Sequence, residues 1–128
     1  MSTVKIITGG VCSAKGFRAA GVAAEIKYKG RNDVALLVAD APCAAAAVFT
    51  TNKVAAAPVL YDREVVAGGK IQAILANSGC ANACTGAQGL RDAKLAALVT
   101  AGELGIDPKH VLVASTGVIG RPLPMDRL

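Results

Sequence analysis

The sequence predicts an α/β fold of layered sheets and helices, and three observations carry that prediction. Short apolar runs, rich in β-branched residues or alanine and separated by turn residues, fill the first half. The second half contains a stretch of helical periodicity with its own start and stop signals. Another apolar run follows, giving a strand–helix–strand order after earlier strands close enough in sequence to pair antiparallel.

Taken in order, the candidate strands are residues 20–28, 34–39, 45–50 and 71–76. Lys29-Gly30-Arg31-Asn32-Asp33 punctuates the first pair, and Asp40-Ala41-Pro42 separates the second from the third. Residues 58–70 read ambiguously, with a short helix starting near Asp62-Arg63-Glu64 and a stop at Gly68-Gly69. Thr85 followed by Gln88 matches a capping box. From there Leu90, Leu95, Leu98, Ala101 and Leu104 put apolar groups on one side of a helix, leaving Arg91, Asp92, Lys94 and Glu103 polar. Gly105 is placed to end that helix, and Pro108 forbids its continuation. Residues 110–115 then read as a buried strand that runs into a glycine-punctuated loop over 116–124. The whole is expected to form a single domain, residues 1–128.

Composition narrows the function classes. Hydrophobic residues make up 53% of the chain but aromatics only 3%, with no Trp, so the core must be built from Ala, Val, Ile and Leu. Such small side chains bury little area each, and a chain of this kind is expected to need a partner surface to complete its core. The net charge is +5, carried on residues that read as scattered: Lys5, Lys15, Arg18, Lys27, Lys29, Arg31, Lys53, Lys70, Arg91, Lys94, Lys109 and others. No run of Lys or Arg reads as interleaved with aromatics, so the footprint of a nucleic-acid binder is weak, and attraction of small acidic metabolites is an equally good use of a mild positive field. Of Cys12, Cys43, Cys80 and Cys84 only the last two lie close, spaced C-x3-C, and His110 is the only imidazole, a poor set of metal ligands. Residues 1–10 lack the pattern of a signal peptide, and no apolar run approaches the ~20 residues of a membrane span. A cytoplasmic protein with reduced cysteines is expected.

Three stretches bear on chemistry. In Gly16-Phe17-Arg18-Ala19-Ala20-Gly21, Arg18 is either a clamp for a substrate carboxylate or an exposed residue beside a tight turn. Asn77-Ser78-Gly79-Cys80-Ala81-Asn82-Ala83-Cys84-Thr85-Gly86 follows a strand and leads into a helix. Its amides can receive an anion, or its two Asn side chains can stitch the loop to its own backbone. Cys84 at the helix start is a nucleophile only if a base comes within reach. In Ala114-Ser115-Thr116-Gly117-Val118-Ile119-Gly120, the Thr116 hydroxyl and Gly117 N–H offer two donors at one point, with no Cβ at 117 to block approach. Two converging donors are what a tetrahedral oxyanion requires, although a simple turn accounts for Ser-Thr-Gly equally well.

In order along the chain these segments resemble the ornithine acetyltransferase family, the bifunctional glutamate N-acetyltransferases of arginine biosynthesis. The matching stretches are Lys15-Gly16-Phe17-Arg18-Ala19-Ala20-Gly21, Val48-Phe49-Thr50-Thr51-Asn52-Lys53-Val54, Ala57-Pro58-Val59, Asn77 to Gly86, Ala114 to Gly120 and Pro122-Leu123-Pro124-Met125-Asp126. Cys80 departs from a frequent Asn, and Ser13-Ala14 from a common Ala-Pro. The resemblance implies a precursor that cleaves itself at an Ala-Thr bond, freeing a β subunit whose N-terminal Thr is the nucleophile. It also implies ping-pong transfer of acetyl from N-acetylornithine to glutamate, with acetyl-CoA as a second donor in some members and no bound cofactor or metal. The family's Thr-Gly oxyanion hole falls on Thr116 and Gly117. The Ala-Thr cleavage motif occurs nowhere in these residues. The chain is therefore expected to be the N-terminal part of an α subunit, with the nucleophile beyond Leu128, the fold incomplete without the β subunit, and no activity alone. The partner is a β subunit, forming αβ heterodimers that assemble into a heterotetramer. Two other classes compete: an inert assembly module, and a metal or redox protein built on Cys80 and Cys84.

Overall fold

A computed structural model describes residues 4–128, so the first three residues of the segment read for a signal peptide lie outside the described residues. Four strands form one sheet: β1 (Phe17–Val22), β2 (Val34–Ala44), β3 (Lys70–Cys80) and β4 (Val111–Val118), in the order β1-β2-β3-β4. As the short early spacing predicts, β1 and β2 pair antiparallel; β2 and β3 are antiparallel too, across a longer connection that contains a helix. β3 and β4 are parallel and joined by α2 (Gly86–Leu104). A shorter helix, α1 (Ala57–Val66), begins with Pro58 in its first turn, where a missing N–H costs nothing.

Both helices pack together and onto β4, covering one face of the sheet. Ile71, Ala73 and Leu75 of β3, with Val111 and Val113 of β4, alternate toward that face and are buried beneath Tyr61 and the alanines of α2. The Tyr61 hydroxyl donates to the carbonyls of Pro108 and Val111, both at 3.2 Å. Burial first, then the nearby charges of Asp62 and Glu64, push its pKa up to about 12. Asp62, also on α1, accepts the Val113 N–H at 3.0 Å, which gives the β4 edge a partner other than a strand.

Several expectations are corrected. The strand expected over 20–28 begins at Phe17 and stops at Val22. The Asp33 carboxylate accepts the N–H groups of Ala24 (2.7 Å) and Ile26 (2.6 Å), drawing the chain off the sheet, and Glu25 turns left-handed at φ 57°. Asp40-Ala41-Pro42 does not end β2; it lies inside it. Between Val38 and Cys43 the register shifts, and Pro42 sits in this irregularity, where a missing donor is tolerated. Residues 45–50 form no strand. Arg63 instead stacks on the Phe49 ring at 5.6 Å and donates to the Thr50 carbonyl, holding the segment against α1.

The capping box is likewise not formed. Thr85 stands at the start of α2 but its hydroxyl donates to Asn82 Oδ1 (2.8 Å), while Gln88 Nε2 donates to Asp92 Oδ1 (2.6 Å). Asn82 is fully buried and needs that donor more than the exposed helix end does. The buried face of α2 is also different. Ala93, Ala96, Ala97, Thr100 and Ala101 face the core with Gly89 and Asp92, whereas Leu95 and Leu98 stand about half exposed. Leu90 and Leu104 are only partly buried. Small residues let the helix backbone approach the sheet closely, and that approach outweighs the extra area of two leucines. Gly105 ends the helix as expected, left-handed at φ 65°, with Ile106 N–H reaching back to Ala101 O at 3.0 Å.

Candidate functional site

β3 runs past its expected end at 76 to Cys80, and β4 runs past 115 to Val118. Thr116 and Gly117 therefore lie within a strand and not in a loop. Parallel pairing sets Ser78 beside Thr116 and Gly79 beside Gly117. Thr116 shares its face of β4 with Ala114 and Leu112, the face away from the helices, and is exposed. It borders a shallow cleft of about 260 Å³ whose other walls include Gly21, Asn32, Val34, Ala76 and Ser78.

Gly117 has a specific local reason. Its φ is 132°, and an added Cβ would lie 2.3 Å from the Gly79 carbonyl carbon and 2.6 Å from the Cys80 nitrogen. The space a side chain would need is thus taken by the neighbouring strand. Behind the pair, Ser115 Oγ donates to Asn77 Oδ1 (2.6 Å) and Asn77 Nδ2 donates to the Cys80 carbonyl (2.9 Å), all on the buried side. The tips of β3 and β4 are therefore fixed by a polar network that faces the core. Thr116 is presented from a stiff support.

The loop after β3 is stitched by its own asparagines. Asn82, left-handed at φ 46°, donates through Nδ2 to the Gly89 carbonyl at 2.8 Å. Gly89 carries no Cβ because Asn82 Oδ1 and Thr85 Oγ occupy that space. Cys80 is buried, with Sγ 3.2 Å from the Arg121 carbonyl, whereas Cys84 is exposed. The two thiols are not presented to a common point. Among the described residues, no three His, Cys, Asp or Glu side chains gather as metal ligands. Arg18 lies on β1, exposed, just after a turn at Gly16, and its Nε is 3.3 Å from Asp40 Oδ1. No helix is long and apolar enough to cross a membrane among the described residues.

The reading of scattered charge, without aromatics between the cations, is corrected at one group of residues. Lys27, Lys29 and Arg31 fall within five residues around Tyr28, with Lys27 Nζ 4.8 Å and the Arg31 guanidinium 5.3 Å from its ring centre. Hydrogen bonding to Lys27, then the charge of Lys27, lowers the Tyr28 pKa. The signal was present as Lys27-Tyr28-Lys29-Gly30-Arg31, an aromatic inside a short basic run.

Comparison with known proteins follows this geometry. Residues 18–128 match the ArgJ family. The chain is 56% identical over 124 residues to an arginine biosynthesis bifunctional protein ArgJ of Symbiobacterium thermophilum, covering 95% of this chain and 31% of that protein. It thus spans about a third of the length of the curated relatives it matches. Among solved structures, an arginine biosynthesis bifunctional protein of Bacillus halodurans superposes with a TM-score of 0.89 at 48% identity, covering 93% of this chain and 62% of that one. The ornithine acetyltransferase of Mycobacterium tuberculosis, solved with ornithine, superposes at 0.81 with 49% identity over 92% of this chain and 64% of that one.

Proposed function

The chain belongs to the ArgJ family, and from that premise we propose that it contributes one half of an acetyltransferase site in arginine biosynthesis. In this reading Thr116 and Gly117 are the oxyanion hole, and the nucleophile is the N-terminal Thr of a β subunit made by self-cleavage. The carrying observation is that Thr116 stands exposed on the sheet face turned away from both helices, uncovered by any helix or strand among the described residues, beside a cleft and on a rigid strand tip.

Chemically, the nucleophile's Oγ attacks the acetyl carbonyl of N-acetylornithine and its proton passes to the α-amine of the same residue. The carbonyl oxygen becomes an oxyanion, which the Thr116 hydroxyl and Gly117 N–H stabilise in place of water. Collapse expels ornithine as the α-amine returns the proton, leaving an acetyl ester. The glutamate amine then attacks that ester through the same hole. Acetyl-CoA enters as an alternative donor to the same ester, and no bound cofactor is required. Alone, the chain stabilises an intermediate that never forms and is inactive.

The open sheet face supports the partner. Leu37, Ile74 and Leu112 pair side by side across β2, β3 and β4 on that face and remain only half-buried. We assign its covering to the rest of the αβ unit, which pairs into a heterotetramer in the cytoplasm. The test is to incubate the assembled protein with N-acetylornithine and map the acetyl group by peptide mass. An acetyl on the N-terminal Thr of a co-purifying chain supports the reading. Turnover without any acetylated chain overturns it.

A further inference from the structure

We infer that the basic loop 27–31 is an electrostatic subsite for the substrates that carry net negative charge; the inference rests on the reading of Thr116 above. A small cavity lined by Lys27, Tyr28, Arg31 and Gly79 adjoins the Thr116 cleft, and the two share Asn32, Asp33 and Ser78. A continuous surface therefore leads from the cations to the strand tip where acyl transfer is placed.

This loop is built. Asp33 anchors it at three points: its carboxylate takes the Ala24 and Ile26 amides, its N–H donates to Val22 O (2.9 Å), and its carbonyl accepts Ser78 N–H (2.8 Å). Gly79, at φ 115°, leaves room for the Lys27 Cβ, which would lie 2.9 Å from a side chain at that position. Arg127 donates to the Glu25 carbonyl and ties the loop to the C-terminal segment. Asp33 is thus turned inward on backbone donors, which leaves Lys27, Lys29 and Arg31 to set the sign of the outer field, against the exposed Glu25.

Substrate chemistry gives that field a use. N-acetylornithine has one carboxylate and one ammonium and is neutral overall. Glutamate carries an extra carboxylate, and acetyl-CoA carries phosphates. The shared chemistry is an oxyanion group beyond the one that the reaction centre holds, and a cationic rim raises the local concentration and capture rate of such ligands.

The experiment is steady-state kinetics of the assembled enzyme with Lys27→Gln/Arg31→Gln, both at exposed positions, with glutamate, acetyl-CoA and N-acetylornithine varied in turn. The inference predicts that KM rises about tenfold for glutamate, for acetyl-CoA or for both, with a weaker salt dependence, as loss of steering implies. KM for N-acetylornithine should stay within about twofold by the same principle, since it bears no net charge. A rise for glutamate alone assigns the subsite to its carboxylate, and a rise for acetyl-CoA alone to the phosphates. Unchanged constants throughout, or an equal rise for N-acetylornithine, overturn the inference while leaving the transferase reading intact. A wild type without transferase activity overturns that reading itself.

Discussion

On the helix side of the sheet, Ala73, Leu75, Val111 and Val113 are closed over by Tyr61 and the alanines of α2. On the other side, Leu37, Ile74 and Leu112 are half-buried, and Ala19, Ala35 and Ala114 are exposed. Both sides are apolar, yet among the described residues only one is packed over by helices. The polar network of Asn77 and Ser115 belongs to the packed side, and Thr116 to the open one. Rigidity is thus concentrated under one face and the proposed oxyanion donor stands on the other, an arrangement that would hold a donor still while leaving it reachable.

The comparison can be broken at the strand that both sides share. Gly117→Ala should cost about 3 kcal/mol or more in denaturant unfolding, since it combines a left-handed φ with a Cβ inside the Gly79 backbone. A neutral outcome would mean that β3 and β4 separate more easily than their pairing implies. Next in size is a matched pair. Ala97→Leu, at a position with 0% exposure on the buried face of α2, should destabilise by about 2 kcal/mol through overpacking. Ile74→Thr on the open face should cost about 1 kcal/mol or less in the chain by itself, yet abolish co-purification with the covering subunit. Equal costs for the two, with assembly intact, would erase the distinction between the faces.

A pH-dependent effect concerns Asp62. Burial raises its pKa from 3.8 to about 6, against the lowering influence of the Val113 N–H. The folded chain therefore holds this proton more tightly than the unfolded chain does. Its contribution to stability is fully present below about pH 4 and declines as pH rises through about 6. Asp62→Asn should flatten that part of a stability–pH curve, and an unaltered slope would assign the dependence to another group.

Much of this was legible in the sequence. The α/β class, the start of β2, the αL stop at Gly105 and the strand before Thr116 all follow from local pattern, where one residue type dictates one backbone state. The errors share a cause, which is tertiary demand. Leucines at 95 and 98 satisfy helical periodicity, but close approach to the sheet selects the alanine face instead. Thr85 and Gln88 fit a capping box, yet Asn82 and Asp92, buried by the fold, claim both side chains. Asp33 ends β1 from eleven positions beyond its last residue, Val22, a contact no window over 20–28 contains. Thr116 was legible as a donor and not as a strand residue, because the length of β4 depends on its pairing with β3.

The central claim, that Thr116 acts on the transition state, is tested most directly by kcat and KM for Thr116→Ala in the assembled enzyme. Loss of one oxyanion donor predicts a fall of about 10²–10³ in kcat with little change in KM. A kcat equal to that of the wild type, in a variant that assembles normally, would contradict it.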